Sequence, residues 1–461
     1  MIDVLCIYPG PATFRQKQVT AHRPLLESLG VRLLLADDYD DLGDRACFGE
    51  VFHLPPPEQL EDAKRVLDRA LASREIHGVL AQSESGLCLG SLIAAERGLP
   101  AIPPLAALLT TNKFGTRTAL AAAGVSQPEF ALARHASDVR HFAAAHDYPV
   151  VLKASASAMS RLVTLVRSDA EVDGAVDRMR AGLARSPDVR RLVEFGRVAK
   201  LDLGHDPLDA FLVESFARGL PVETDGVVAR DVIGTYGVTE QILTPPPLFF
   251  FEGYLLPADL AAPAIAAIEA TSDAALRALG VRDTGFSIEM RFESERASVL
   301  EVNGRLGWDE GFGDLFAAIT CVQPVLQTLQ IALGSPVVVA RGRDVRAAVA
   351  YSACYADRIV LSTPSAEDVA RVERDLDVRA GTCVWPGDRL VAPPDPEATP
   401  HLAWALALDP TSSRRAFESA RAALARLPVE LAPVPEQPLE RVLSRGQSDS
   451  RGQADSRGEA D

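Results

Sequence analysis

Long apolar segments are missing from this chain of 461 residues. No stretch approaches the ~20 consecutive apolar residues that a membrane-spanning helix needs. Residues 1–7 lack the basic start of a secretion signal and have the composition of a strand. The six cysteines form no Cys-x-x-Cys pair, and the eight histidines show no spacing of zinc ligands. We therefore expect a cytoplasmic protein with no membrane partner, no disulfide framework and no zinc site.

Positive charge is also in deficit. The chain has 47 Lys and Arg residues against 63 Asp and Glu residues, which gives a formal net charge of −16. Because nucleic acids are bound by clustered basic side chains, this balance argues against a nucleic-acid partner. Apolar residues make up 47% of the chain and charged residues 24%, as in ordinary globular proteins, so a large core is expected.

Short apolar runs alternate with amphipathic segments over residues 1–100, which is typical of βαβ units around a parallel sheet. Residues 211–305 are rich in strand-like runs instead. The expected fold class is therefore mixed α/β and α+β. The predicted domains are an N-terminal parallel α/β domain, a middle domain and a small C-terminal α+β domain, at residues 1–109, 110–340 and 341–434.

The C-terminal end of the sequence is repetitive. Residues 444–461 consist of three imperfect hexapeptides, SRGQSD, SRGQAD and SRGEAD. They contain no apolar residue larger than alanine, so they cannot bury enough surface to become ordered. The sequence therefore predicts a disordered tail over residues 435–461.

A β-hairpin is predicted where two alternating segments, 286–292 and 298–305, are joined by a short polar connection. A turn centred on Glu295 places Glu289 directly across from Glu301. Opposed carboxylates repel, and this repulsion is costly unless something neutralises it. A hard divalent cation does so, since Mg²⁺ takes carboxylate oxygens together with phosphates.

Asn303 and Arg305 continue the face of Glu301, because alternate residues of a strand point the same way. An arginine there can hold a phosphate or a carboxylate with two parallel hydrogen bonds. The same alternation also fits a plain solvated hairpin, and the hairpin alone does not decide between these interpretations.

Two lysines allow the same two interpretations, a contact with a bound phosphate or a side chain that simply faces water. A helix is predicted to begin at Lys113, because Thr111 or Asn112 can cap it and Gly124 can end it. A cation in the first helical turn is disfavoured by the helix dipole unless an anion such as phosphate binds there. Lys153 ends an apolar strand, where its ammonium group either reaches water or faces a phosphate.

These residues lie in the order and spacing of a known family. Glu301-Val-Asn-Gly-Arg305 matches the E-x-N-x-R motif of the ATP-grasp superfamily, and Glu289 stands upstream at the usual spacing. Other segments resemble the first helix of its nucleotide domain, the strand of its second lysine and its adenine hinge, at residues 112–125, 149–153 and 211–216. The similarity covers about residues 1–430, and it implies that residues 110–340 form a two-part ATP-grasp domain.

The resemblance implies a site for ATP and Mg²⁺, with Mn²⁺ as an alternative ion. The metal ligands that it implies are Glu289, Glu301 and Asn303. The nucleotide contacts that it implies are Lys113 and Lys153 to phosphates, Glu214, Ser215 and Phe216 to adenine, and Glu223 to ribose. Residues 154–160 depart from the family pattern, because they contain no glycine where many relatives have a glycine-rich loop.

The resemblance also implies a reaction, in which a carboxylate is activated as an acylphosphate and then attacked by a nucleophile. Residues 306–316 lack the Val-Glu-His run that follows the motif arginine in biotin-dependent carboxylases, and residues 237–253 resemble amino-acid and peptide ligases. We therefore predict a carboxylate–amine ligase that forms an amide or dipeptide. Arg305 would hold the acylphosphate or a substrate carboxylate. The remaining substrate contacts would be Glu252, Asp309 and Glu310 to an ammonium group, and Trp308 as a pocket wall.

Two alternatives remain open at this point. One is an enzyme like the biotin-dependent carboxylases, and the other is a non-catalytic, nucleotide-binding regulatory protein. The complete set of Glu289, Glu301, Asn303 and Arg305 argues against the second, because a decayed site would have lost members. The expected partners are small carboxylic acid and amine substrates, and a homodimer is compatible with the sequence.

Overall fold

The computed structural model describes residues 1–10, 12–39, 42–157, 161–245, 250–307, 309–339, 342–392 and 400–434, with the backbone alone at residues 12–14. The predicted disordered tail, Trp308 and residues 158–160 of the glycine-free segment lie outside the described residues.

The strands are β1 (Ile2–Ile7), β2 (Val31–Asp37), β3 (Glu50–His53), β4 (Gly78–Leu80), β5 (Phe130–Ala133), β6 (Val150–Lys153), β7 (Val163–Val166), β8 (Phe211–Ser215), β9 (Leu220–Ala229), β10 (Val232–Leu243), β11 (Phe251–Leu256), β12 (Thr284–Glu293), β13 (Arg296–Asn303), β14 (Arg346–Ala353), β15 (Arg358–Ser362), β16 (Val378–Thr382), β17 (Arg389–Leu390), β18 (His401–Asp409) and β19 (Glu430–Pro433). The α-helices are α1 (Ala12–Ser28), α2 (Leu42–Cys47), α3 (Leu60–Ala70), α4 (Glu84–Glu96), α5 (Pro104–Thr111), α6 (Lys113–Ala122), α7 (Ala136–His146), α8 (Val172–Arg185), α9 (Pro187–Ala199), α10 (Ala262–Leu279), α11 (Phe312–Thr320), α12 (Pro324–Ala332), α13 (Ala366–Leu376) and α14 (Ser413–Leu424).

The N-terminal strands form a four-stranded sheet in the order β3-β2-β1-β4. Every pairing in it is parallel, which confirms the parallel α/β layer expected from the alternating segments. Helices connect the strands, because parallel neighbours need a crossover. The core strand β1 is buried almost throughout, as apolar runs covered on both faces should be.

The next two sheets are antiparallel. Strands β5-β8-β6-β7 form a small sheet, and an eight-stranded sheet runs in the order β13-β12-β9-β10-β11-β14-β18-β16. The last three strands of this order come from beyond residue 340, so the large sheet crosses the predicted limit between the second and third domains. The domain limits themselves stay a prediction. The mixed α/β and α+β fold class is confirmed.

The predicted apolar face of the hairpin packs as expected. Phe286, Ile288 and Met290 are fully buried and belong to one apolar cluster with residues of α10 and of the N-terminal sheet. Helix α10 packs against β13, so the opposite face of the hairpin is left to line a cavity. The period-two pattern of the sequence thus decides which side chains reach the site.

The start of α6 differs in detail from the predicted cap. Thr111 is the last residue of α5, and Asn112 occupies the N-cap position of α6 without making a side-chain cap hydrogen bond. The Asn112 amide donates to the carbonyl of Leu203 at 3.1 Å instead. The backbone N–H of Lys113 donates to the carbonyl of Ser155 at 2.8 Å, which ties the helix start to the segment after β6.

Within the described ranges, no single helix is long and apolar enough to cross a membrane, although α11 and α12 taken together pass that test by length and composition with a bend of 87° between them.

Candidate active site

A cavity of about 550 Å³ lies where the small sheet, the hairpin of β12 and β13 and the start of α4 meet. The N-terminal domain contributes the turn at Pro9 and Gly10 together with Ser83, Glu84 and Ser85. The predicted site residues that line the cavity are Lys113, Lys153, Glu214, Ser215, Phe216, Glu223, Glu289, Glu301, Asn303, Arg305, Asp309 and Glu310. Residues that lie far apart in the sequence therefore share one cavity.

Three carboxylates form a row across the floor of the cavity. Glu289 on β12 pairs with Glu301 on β13, so the predicted opposition of these two residues is confirmed. On its other side, Glu289 pairs with Glu223 on β9. The sequence pattern does not reveal this third member, because β9 lies far upstream of β12 and no turn joins the two strands.

The register that brings Glu289 to Glu301 has an unexpected origin. Glu293 pairs with Arg296, so the turn is a two-residue turn rather than one centred on Glu295. Its residues, Ser294 and Glu295, both have positive φ angles, as type I′ hairpin turns require. A register shift directly after Glu289 then inserts one residue into β13. This bulge restores the pairing that a turn centred on Glu295 would have given.

The three carboxylates of the row have different electrostatic surroundings. Burial and the neighbouring carboxylates of Glu301 and Glu223 raise the pKa of Glu289 to about 8. Burial would raise the pKa of Glu301 too, but the ammonium group of Lys113, 2.8 Å away, lowers it. Asn303 is buried at the end of β13, in register with Ser287.

The donor set fits a divalent cation that is shared with a phosphate ligand. No group of three or more His, Cys, Asp or Glu side chains is arranged to hold a metal ion by itself in the part of the chain that the structure describes. Mg²⁺ commonly uses only one or two carboxylates and completes its shell with phosphate and water. The paired Glu289 and Glu301 with adjacent Asn303 match that requirement.

Both predicted lysines reach the cavity, and both are paired there. The ammonium group of Lys113 donates to Glu301 and, at 3.0 Å, to the carbonyl of Ser157. Lys153 lies 2.7 Å from Glu214. These ion pairs hold two positive charges at the cavity wall, where an anionic ligand would meet them.

Glu214 is the centre of a buried charge network that also includes Arg117. The Arg117 guanidinium donates to Glu214 at 2.7 Å and, through its other nitrogens, to the carbonyls of Val299 and Leu300 at 2.9 and 2.7 Å. Burial would raise the pKa of Glu214, but the charges of Arg117 and Lys153 outweigh it and lower the pKa to about 2. The Glu214 carboxylate is therefore engaged, and only its backbone remains for the predicted adenine contact.

Arg117 was not predicted as a site residue. It lies four residues after Lys113 on α6, so both side chains share a helix face. That spacing is the one signal in the sequence that could have pointed to it. Its bonds join the hinge strand β8 to β13, which carries Glu301.

Glu223 is held differently from the ribose-contacting acid that the resemblance implies. Its carboxylate accepts hydrogen bonds from the Ser287 hydroxyl at 2.5 Å and the Gln241 amide at 2.8 Å. Burial raises its pKa. Its place in the acid row is observed, whereas its contact with ribose stays a prediction.

Arg305 follows β13 and forms an ion pair across two domains. One nitrogen donates to Glu84 at 2.6 Å and another to the carbonyl of Leu306 at 2.9 Å. Glu84 is the first residue of α4 and was missed, since acidic residues are common in first helical turns for electrostatic reasons alone. The backbone N–H of Gly307 donates to buried Asp225 at 3.1 Å, which fixes the segment after Arg305.

The remaining predicted substrate residues separate into two groups. Asp309 and Glu310 line the cavity, and Asp309 accepts a hydrogen bond from the hydroxyl of Tyr254. Glu252 is exposed and is not among the lining residues, so the structure does not bring it to the site. Cys383 and Trp385 of the C-terminal segment do line the cavity, and no pattern in the sequence marked them.

Comparison with known sequences finds one partial match and no family model that matches the chain. An uncharacterized protein of Sinorhizobium fredii, y4rH, is 31% identical over 237 residues, which is 51% of this chain and 44% of that protein. The match thus spans less than half of that relative's length.

Comparison with solved structures finds matches that cover nearly the whole chain. An L-amino acid ligase from Bacillus licheniformis matches 93% of this chain and 98% of its own with a TM-score of 0.77 at 18% identity. A biotin carboxylase from Campylobacter jejuni matches 94% and 93% with a TM-score of 0.66 at 13% identity. An N5-carboxyaminoimidazole ribonucleotide synthetase from Thermus thermophilus matches 95% and 100% with a TM-score of 0.65 at 17% identity. The chain therefore has the ATP-grasp fold, as the E-x-N-x-R motif predicted.

Proposed function

We propose that this protein is an ATP-dependent carboxylate–amine ligase that forms an amide or dipeptide bond through an acylphosphate and releases ADP and phosphate. The observation that carries the proposal is the single cavity that joins the acid row, two lysines, Arg305 and a second acidic pair. The first three are what phosphoryl transfer to a carboxylate requires. The acidic pair, Asp309 and Glu310, suits a substrate with an ammonium group.

We assign the ATP-binding part of the cavity from the charges of its lining residues. Lys113 and Lys153 would contact ATP phosphates, the backbone of residues 214–216 would frame adenine, and Glu223 would reach ribose. Glu289, Glu301 and Asn303 would hold Mg²⁺, or Mn²⁺ in its place. When bound, the ion would offset negative charge on the phosphoryl group that is transferred. The raised pKa of Glu289, which comes from burial first and from the neighbouring carboxylates second, supports this assignment, because a nearby cation would favour the ionised carboxylate.

The reaction then has two steps. A carboxylate oxygen of the acid substrate attacks the terminal phosphorus of ATP, the bond from that phosphorus to the bridging oxygen breaks, and ADP leaves. The ammonium group of the second substrate loses one proton to water, and its neutral amine nitrogen then attacks the acyl carbon. The C–N bond forms, the C–O bond to phosphate breaks, and a second nitrogen proton passes to water. Arg305 contributes by holding the carboxylate and then the acylphosphate in place.

The acidic pair favours an amine over bicarbonate as the second substrate. Asp309 and Glu310 would repel an anion but attract an ammonium group. The fold alone does not decide this point, since a biotin carboxylase shares it. The carboxylase-like enzyme and the non-catalytic nucleotide-binding protein are therefore kept as outcomes of the test.

The test is a hydroxamate screen, in which hydroxylamine replaces the natural amine and ADP release is followed over a panel of amino acids and related acids. The wild type should release one ADP for each hydroxamate. Arg305→Ala should lower the rate roughly 100- to 1,000-fold, because it removes a group that stabilises developing charge. ATP affinity should change little, since the lysines and the hinge remain.

Two variants sharpen this comparison. Arg305→Lys keeps the charge but loses the two-pronged grip, so it should recover only part of the rate. Arg296→Ala, an exposed arginine at the start of β13, should keep the wild-type rate. Release of AMP and pyrophosphate would refute the acylphosphate. Biotin-dependent use of bicarbonate would support the carboxylase, and ATP binding without turnover on any acid would support the regulatory protein.

A further inference from the structure

Aromatic rings wall one end of the cavity. The rings of Phe251 and Tyr254, both on β11, stack with centroids 5.1 Å apart. The Tyr254 ring also lies 4.3 Å from Phe312 at the start of α11. Phe251, Tyr254 and Phe312 all line the cavity. Tyr254 and Phe312 are each 1% exposed, so they support the half-buried ring of Phe251, which is the one that a ligand can reach.

The same end carries two carboxylates and little positive charge. Asp309 accepts a hydrogen bond from Tyr254 and forms no ion pair within the described ranges. The nearest ion-pair partner of Glu310 is the exposed Lys17, at 3.9 Å. Burial raises the pKa of Glu310. A cationic group on a ligand would meet two acids that the protein itself barely neutralises.

Trp385 lines the same cavity from the C-terminal part of the chain. It lies in the turn after β16, where its backbone N–H donates to the Asp388 carboxylate at 2.8 Å and its carbonyl accepts from the Asp388 N–H at 3.0 Å. Gly387 in this turn has a φ of +98°, which favours glycine. The turn therefore holds Trp385 in place. Its side chain lines the cavity although 42% of the residue is exposed.

We propose that this end of the cavity binds a substrate that combines a primary ammonium group with an apolar, preferably aromatic, side chain. Asp309 and Glu310 receive the ammonium group, and Trp385 covers the side chain against the ring of Phe251. This assignment rests on the proposed ligase function and names the substrate class for it. An aromatic side chain gains both buried apolar area and ring-to-ring contact here.

An α-amino acid and a simple amine both carry an ammonium group and can carry a ring. Four probes therefore separate the contributions of the ammonium group, the ring and the carboxylate to binding. L-Phenylalanine has the ammonium group, the ring and a carboxylate, phenethylamine lacks the carboxylate, 3-phenylpropionate lacks the ammonium group, and glycine lacks the ring. Each is titrated into the full chain, with and without a non-hydrolysable ATP analogue and Mg²⁺. The readout is tryptophan emission and its quenching by acrylamide, and Trp385→Phe identifies the share of Trp385 among the three tryptophans.

L-Phenylalanine should shift the emission to shorter wavelength and protect Trp385 from acrylamide, because the ligand covers the exposed indole. The same response with phenethylamine would show that the ammonium group and ring suffice, and a response to L-phenylalanine alone would identify an amino acid. Equal binding of 3-phenylpropionate would refute the role of the acids. Equal binding of glycine, or no response to any probe in either condition, would refute the proposal.

Variants test the same assignment in turnover. Trp385→Ala should raise KM for L-phenylalanine roughly 10- to 100-fold and KM for glycine much less, as expected for loss of an apolar wall. Trp385→Phe should restore most of the loss. Asp309→Asn should raise KM for L-phenylalanine but not KM for 3-phenylpropionate. The control is Leu361→Ala, which removes an exposed apolar side chain of β15 that lies outside the cavity.

The two proposals fail in different ways. Amide formation from small polar amines, with no effect of Trp385→Ala, would refute the substrate class and leave the ligase standing. Binding of L-phenylalanine at Trp385 without ADP release on any acid would refute the ligase and leave the ammonium and apolar subsite standing.

Discussion

Glu301→Gln is expected to lower the rate of ATP turnover at least roughly 100-fold while the protein remains folded. Glu301 faces Glu289 across the hairpin and pairs with Lys113 at 2.8 Å. The substitution keeps the shape of the side chain but removes one of the two opposed negative charges. A shared cation would lose a ligand, and Lys113 would lose the partner that holds it at the phosphate end of the cavity.

The measurement is Mg²⁺-dependent ADP release in the presence of an accepted acid, together with a thermal melt. Glu293→Gln is the matched control, because Glu293 ends β12 of the same hairpin but is exposed, and it should keep the wild-type rate. Raising the Mg²⁺ concentration should recover part of the Glu301→Gln rate if the loss lies in metal affinity. Wild-type turnover by Glu301→Gln at limiting Mg²⁺ would remove Glu301 from the metal site.

The pairing of Glu289 with Glu301 could be predicted because local rules determine it. Alternation fixes which side chains share a face, and a short polar turn restricts how two strands pair. The details could not be predicted. The two-residue turn at Ser294 and Glu295 shifts the register by one, and the bulge after Glu289 shifts it back. Neither has a marker in the sequence, and the predicted opposition of Glu289 and Glu301 is confirmed because the two shifts cancel.

Residues that act through distant partners were missed for a different reason. Arg117 contacts Glu214 and the carbonyl of Val299 at sequence separations of 97 and 182. Periodicity shows which face of α6 Arg117 occupies, but not what that face meets. The same limit explains why Glu84 and Trp385, which come from distant parts of the chain, were not predicted.

The large sheet draws its strands from both sides of a predicted domain limit. A small C-terminal domain is predicted from residue 341, and β14 of that segment pairs with β11 and extends the eight-stranded sheet. Strand pairing between distant segments depends on edge availability and burial, which a single sequence does not display. This continuity is what brings Trp385 to the cavity.

Arg117→Met should destabilise the protein by about 3–5 kcal/mol, the usual cost of removing one partner of a buried ion pair. Arg117 is only 2% exposed, and its loss leaves Glu214 with Lys153 alone and the carbonyls of Val299 and Leu300 without this donor. Those bonds join the hinge strand to β13, so ATP affinity should fall as well. Arg140→Met is the control, since Arg140 bridges the carboxylates of Asp169 and Asp173 on the surface, where ion pairs contribute little.

The pH dependence of stability tests whether charge, rather than packing, is responsible. The pKa of Glu214 is lowered to about 2 in the folded chain, against about 4.3 when unfolded. Ionised Glu214 therefore stabilises the fold fully above pH ~4.3, and this contribution declines as the pH falls towards 2. The difference in unfolding free energy between wild type and Arg117→Met should shrink over that interval. Arg117→Met combined with Glu214→Gln should also be less destabilised than the two single changes added together. A difference that stays constant with pH, with strictly additive single changes, would assign Arg117 to packing alone.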